Sequence, residues 1–295
     1  MDHATQTFTQ LRPRLLGIGY RMLGSLAEAE DMVQDIWMRW AEASRHHIDN
    51  AEAWLVGTAT RDAIARLRSA RTARERYVGM WLPEPILSDA PATPEELRES
   101  WDNLSIAFLA ILEHLAPEAR AAFLLREVFD IDYAQIAAIL GKTQPACRQI
   151  VHRANAQLQE ARPRCTVPDE THRRLMGRFA DAVTRADLPA MTALLHDTAV
   201  LRGDGGGLVV SMPKPTVGGE RIACALYAPN LRYRDELRVE LAPINGRLGL
   251  LRYFRGELES AQSYETDHER IVRVFVQRNP QKLRSIAARR KPALD

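Results

Sequence analysis

The stretch "YAQIAAILGKTQPACRQIVHRA", residues 133–154, decides how the chain is read. It predicts two short helices around a tight turn. Gly141 stands where the backbone must reverse, and Ala137, four residues earlier, is small enough for two helices to cross closely. Thr143 or Gln144 can cap the second helix, and Pro145 falls in its first turn, where a missing N–H costs nothing. Ile136, Leu140, Cys147 and Ile150 are expected to face inward. Gln144, Arg148 and His152 recur at every fourth residue on the outer face, with Gln149 and Arg153 beside them. Arg and Gln grip guanine and adenine edges with paired hydrogen bonds, so this face predicts a DNA reader. A helical hairpin with a merely solvated polar face is the bland alternative. Turn, crossing residue, cap and outer face together weigh against it.

The charge around this element is unexpected. Residues 1–160 carry 17 Lys and Arg against 22 Asp and Glu, while residues 161–295 carry 23 against 16. The DNA reader thus sits in the acidic half of a chain whose formal net charge is only +2. At 295 residues there is room for two or three domains, and the composition is that of an ordinary soluble protein. The opening "MDHATQTFTQLRPRLLG" has no apolar run of signal-peptide or membrane-span length, so no membrane association is expected. Cys147, Cys165 and Cys224 are scattered, which predicts reduced thiols in the cytoplasm, no structural zinc and no cofactor.

Helical periodicity begins near residue 5. In "SLAEAEDMVQDIWMRWAEA" Val33, Ile36, Trp37 and Trp40 form an apolar stripe, and Ser25 with Glu28 makes a capping box. A second long helix follows, with Val56, Ala59, Ala63 and Leu67 as its buried face and six arginines between 61 and 76. "GMWLPEPILSDAPATPEE" then breaks the pattern with four prolines, Pro83, Pro85, Pro91 and Pro94. Trp81, Leu82, Ile86 and Leu87 carry too much apolar surface for a solvated spacer, so part of this linker should dock. Helix resumes from about 95 to 160. After "ARPRCTVPDE" come two helices and then β-patterned runs, "TAVLRG", "GLVVSM", "LRVELAPINGRLGLLRYFRGEL" and "ERIVRVFVQ". Asn245-Gly246 is a strong hairpin signal. This order predicts an α+β domain with helices on one face of a curved antiparallel sheet.

"LAPEARAAFLLREVFDIDYAQIAAILGKTQPACRQIVHRANAQL" resembles region 4 of bacterial extracytoplasmic-function sigma factors, and "RMLGSLAEAEDMVQDIWMRW" with "AWLVGTATRDAIARLRSARTARERY" resembles their region 2. "YVGMWLPEP", "DGGG" (Asp204–Gly207) and "NPQKL" (Asn279–Leu283) resemble motifs of the SigJ-like subgroup, which carries a fused SnoaL-like domain. The sequence departs from that pattern at Ala65, Leu208 and Gln281. The resemblance implies a multidomain chain: two all-α sigma domains, a region 2 helical bundle (5–77) and a region 4 helix-turn-helix (101–160), then an α+β SnoaL/NTF2-like cone domain (170–285). Linkers span 78–100 and 161–169, and a basic tail 286–295.

The implied function is an RNA polymerase sigma factor regulated by its own C-terminal domain, without a separate anti-sigma factor. Its partners are core RNA polymerase, through the β′ clamp and β flap, and promoter DNA. Gln144, Arg148, Gln149, His152 and Arg153 would read the −35 element, and Arg61, Arg66, Arg68 and Arg71 the −10 element. Asp31, Gln34, Asp35 and Met38 share a helical face that would meet the polymerase. Trp81, Leu82, Pro83, Glu84 and Pro85 would contact Asp204, Gly205, Gly206, Gly207, Asn279, Pro280, Lys282 and Leu283 to regulate it. Such a subunit borrows its electrostatic grip from the larger enzyme, which explains an acidic reader.

Some SnoaL-like relatives are enzymes, and His196, Asp197, Asp204, Asp267 and His268 are the acid/base candidates here. None stands in a spacing that demands chemistry, so catalysis is not expected. The cone could instead hold an unknown small ligand. The rival function is a ligand-sensing helix-turn-helix regulator with that pocket as its sensor.

Overall fold

The computed structural model describes residues 3–43, 48–75, 77–88, 104–161, 167–233 and 236–289. The chain divides into two compact units. One comprises Met1–Arg76 and Ile111–Arg162, the other Tyr77–Ala110 and Pro163–Asp295.

The first unit holds α1 (His3–Leu23), α2 (Leu26–Glu42) and α3 (Ala51–Glu75). Ser25 caps α2 by accepting from the Glu28 N–H, and Asn50 caps α3 by accepting from Ala53. Val33, Ile36 and Trp40 of the expected stripe are buried and Trp37 half-buried, with the Phe8 ring 5.0 Å from the Trp37 ring. Val56, Ala59, Ala63 and Leu67 all face the core.

The boundary between the units falls within α4 (Ile106–Leu112), after which α5 (Pro117–Glu127), α6 (Tyr133–Leu140) and α7 (Gln144–Ala161) complete the first unit. The buried Arg120 of α5 donates from Nε to the Arg21 carbonyl of α1, joining the two helical regions.

In the second unit α8 (Asp169–Thr184) and α9 (Leu188–Leu194) precede β1 (Leu195–Asp204) and the short β2 (Thr216–Val217). Then come α10 (Gly219–Tyr233), β3 (Leu237–Ile244), β4 (Arg247–Phe254), β5 (Glu257–Thr266), β6 (Ile271–Gln277) and α11 (Pro280–Arg289). The sheet order is β2-β1-β6-β5-β4-β3. Phe179, Met191 and Ile222 of the helices pack with Leu201, Leu250, Val274 and Val276 of the sheet. Residues of alternate parity, Leu251, Tyr253 and Ala261, pack with Leu283 and Ile286 of α11, as the two-residue strand period requires.

Three expectations are corrected. The sheet is not wholly antiparallel, because β1 and β6 run parallel, with Leu201 opposite Val274. "GLVVSM" is a turn and loop, not a strand: Gly206 and Gly207 take φ of 64° and 72°, which leaves Leu208, Val209 and Val210 in solvent. α10, absent from the β-patterned reading, packs Ile222, Ala223 and Leu226 into the core. Asn245-Gly246 does close the β3–β4 hairpin, both residues at positive φ. Among the described residues no helix is long and apolar enough to cross a membrane, and no cluster of three metal-ligating side chains occurs.

Candidate functional site

The polar face of α7, expected from the sequence to read DNA, is built by local chemistry. Asp132 caps α6 by accepting from Gln135 at 2.8 Å, and Gly141 ends it in the left-handed conformation at φ 63°. Thr143, rather than Gln144, caps α7 by accepting from the Ala146 N–H. Ile136 and Cys147 are fully buried as expected, and burial pushes the Cys147 thiol up. Leu140 and Ile150 are only half-buried; Val151, Ala154 and Leu158 carry the packing instead. The reason is geometric: 147, 151, 154 and 158 lie on one stripe of a helix, and 150 falls at its margin. That stripe leaves Gln144, Arg148, Gln149, His152 and Arg153 together in water. The Arg148 guanidinium lies 5.3 Å from the Tyr133 ring centroid, a cation–π contact that steadies it.

On α2, Asp31, Gln34 and Met38 are exposed, with Met38 at 51%, a rare apolar group amid acidic side chains. Asp35 is engaged by Arg66 at 2.5 Å, and Arg66 also holds Asp62 at 2.9 Å. Arg61 and Arg68 are exposed on α3, as is Ala65; the side chain of Arg71 lies outside the described residues. Arg68 donates to Glu118 at 2.5 Å.

The second unit brings together the three motifs that sequence reading joined. Asp204, at the end of β1, is 0% exposed. Its carboxylate accepts from the Tyr77 hydroxyl at 2.6 Å, the Leu82 N–H at 2.9 Å, the Gly206 N–H at 2.9 Å, Gln277 Nε2 at 3.2 Å and Lys282 Nζ at 2.7 Å. Lys282 Nζ also donates to the Leu82 carbonyl and sits 4.3 Å from the Trp81 ring centroid. Asn279 donates to the Tyr77 hydroxyl, and burial with the Asp204 bond raises that phenol well above its ordinary range. A Cβ on Gly205 would strike the Val209 carbonyl, and one on Gly206 the Asn279 amide. Glycine is therefore required at both. Leu82, Pro83, Glu84 and Pro85 are buried, and Ser285 donates to Glu84. Leu283 is buried, while Pro280 and Gln281 are exposed.

Farther along the linker, Leu87 forms a β-bridge with Ile244, and the Asn245 amide donates to the Leu104 carbonyl. Sequence reading named neither Tyr77 nor Gln277 as a contact: Tyr77 opens the "YVGMWLPEP" motif, of which only Trp81–Pro85 were assigned a role, and Gln277 lies outside any motif. The linker residues 89–100 and the tail residues 290–295 lie outside the described residues, as does Cys165.

Four of the acid/base candidates gather at one end of β1, away from Asp204. His196 accepts from Thr198, Asp197 pairs with Arg270 at 3.4 Å, Asp267 caps its own turn, and His268 is exposed. These four lie by the start of β1 and the β5–β6 turn, whereas Asp204 ends β1. Along β5 the buried polar side chains satisfy one another: Tyr264 donates to Gln262, which donates to Ser260. Buried His172 bonds Thr266 and the Leu248 carbonyl through its two ring nitrogens.

Residues 7–73 match the Sigma-70 region 2 family and residues 105–158 the Sigma-70, region 4 family. The chain is 32% identical over 274 residues to the ECF RNA polymerase sigma factor SigJ of Mycobacterium tuberculosis, covering 91% of this chain and 86% of that protein. It is 27% identical over 291 residues to the probable ECF RNA polymerase sigma factor SigI of the same organism, with 97% of each covered. The crystal structure of M. tuberculosis SigJ superposes with a TM-score of 0.77 at 26% identity, over 95% of this chain and 98% of that one.

Proposed function

This chain belongs to the extracytoplasmic-function RNA polymerase sigma factors, and on that premise we propose that its C-terminal domain governs initiation by gripping the connector between two promoter-reading regions. As a sigma factor it binds core RNA polymerase and promoter DNA, and family membership sets aside both catalysis and the ligand-sensing regulator. In our reading Gln144, Arg148, Gln149, His152 and Arg153 meet the −35 element, and Arg61, Arg66, Arg68 and Arg71 the −10 element. Asp31, Gln34, Asp35 and Met38 dock on the β′ clamp, with region 4 on the β flap, in the cytoplasm where the polymerase works.

The two elements lie roughly 25 base pairs apart, about 85 Å at ~3.4 Å per base pair. Regions packed in one compact unit must separate to reach both. The connector between them is held at 77–88 and again at Leu104, so its slack depends on the second unit. Releasing residues 77–88 frees twelve residues, which extended span up to about 40 Å.

One observation carries this: a fully buried carboxylate, Asp204, that takes donors from both the linker and the C-terminal motif. Such a clamp does the work of a separate anti-sigma factor within one chain. Asp204→Asn removes the charge and keeps the shape, leaving Lys282 without its counter-ion. In vitro transcription with core polymerase should then change by severalfold relative to the unsubstituted chain. Equal transcription across a titration of polymerase would sink the regulatory reading and leave the family assignment standing.

A further inference from the structure

The Glu118 carboxylate, in the first turn of α5, lies between two cations from the two reading regions. Arg68 of α3 donates to its Oε1 at 2.5 Å, and Lys142, in the turn of the helix-turn-helix, reaches its Oε2 at 3.0 Å. The Lys142 bond, with help from Arg68, holds the Glu118 carboxyl below the usual range. Side-chain exposures of 60%, 38% and 32% for Arg68, Glu118 and Lys142 mean that water and other anions have access to all three. An ion pair this exposed is weak and easily exchanged.

Two facts argue that it is exchanged in use. Arg68 and Lys142 share one carboxylate here, yet with the regions about 85 Å apart on a promoter Arg68 must leave Glu118, which stays beside Lys142 within region 4. Each cation also stands beside a reading element: Lys142 immediately precedes the Thr143 cap of α7, and Arg68 lies seven residues beyond Arg61 on the same helix. Phosphate oxygens accept the same charge-assisted hydrogen bonds as a carboxylate, and phosphate contacts are what set a reader's register on DNA. We propose that Lys142 and Arg68 are DNA-backbone phosphate contacts, and that Glu118 occupies the phosphate position in the packed unit, so that promoter DNA and Glu118 compete for the same two cations. This rests on the sigma-factor reading of the two regions.

The test uses the full chain with core polymerase on a promoter duplex that the unsubstituted holoenzyme transcribes. Glu118→Gln removes the competitor, and promoter complexes should form about two- to fivefold faster, the scale of one or two exposed ion pairs. Lys142→Gln should lower the slope of log affinity against log salt by about one. A Glu118→Gln rate that is unchanged or slower overturns the competition, and an unaltered salt slope in Lys142→Gln overturns the phosphate contact. If the unsubstituted holoenzyme starts no transcript at any site, the sigma reading itself has failed, which is a separate result.

Discussion

The Asp204 clamp and the α7 reading face use the same kinds of side chain in opposite ways. In the clamp a carboxylate is stripped of water and repaid by five donors. On the reading face Gln144, Arg148, Gln149, His152 and Arg153 stay hydrated. Buried polar groups are costly to leave unpaired, so the clamp specifies one arrangement and resists small changes. Exposed groups contribute little to folding and stay available for a partner. One region uses its polar groups to hold the chain, the other leaves them exposed.

The largest expected effect breaks the clamp. Asp204→Asn should destabilise the second unit by about 3–5 kcal/mol, since Lys282 loses its counter-ion inside the protein. Hydrogen exchange of the 77–88 amides should rise with it. Protection equal to that of the unsubstituted chain would show that the carboxylate's charge does not hold the linker.

A smaller effect is expected on the reading face. Arg148→Ala should leave folding almost untouched and weaken −35 recognition by ~1–3 kcal/mol. An equal loss on a scrambled −35 element would make Arg148 a phosphate contact instead.

The smallest effect concerns His172 of α8, buried against Thr266 and the Leu248 carbonyl. Burial lowers its pKa, with the Arg247 cation acting in the same direction. The folded state therefore binds the proton less readily than the unfolded chain, whose histidine titrates near ~6.5. Its stabilising contribution is present above that pH and declines as pH falls below it. Denaturant midpoints between pH 8 and 5 should drop more for the unsubstituted chain than for His172→Gln. Parallel curves would remove His172 as the cause.

Much of the helix-turn-helix was legible because its determinants are neighbours. Gly141, Thr143 and Pro145 act within four residues of the backbone they shape. The inward stripe was harder, since Leu140 and Ile150 are as apolar as Val151, and only the packing partner of α7 selects among them. "GLVVSM" read as a strand from its β-branched residues, but Gly205–Gly207 and the Asp204 anchor turn it into a loop. The linker motif, the glycine loop and the C-terminal motif were joined only by resemblance. Tyr77, the first residue of "YVGMWLPEP", was given no role because only its apolar neighbours drew attention, yet it lies 2.6 Å from Asp204.

By itself the sequence determined the caps and turn of the helix-turn-helix, which face of α7 stays polar, and that the linker was too apolar to be a spacer. These follow from propensity, capping and periodicity, whose influence fades within a turn or two. Only tertiary structure decided that β1 runs parallel to β6, and that Asp204 meets Tyr77 across 127 residues of chain. It also decided that Arg68 and Lys142 share Glu118. A charged group takes whichever partner the chain path delivers, and that path is set by burying all the cores at once.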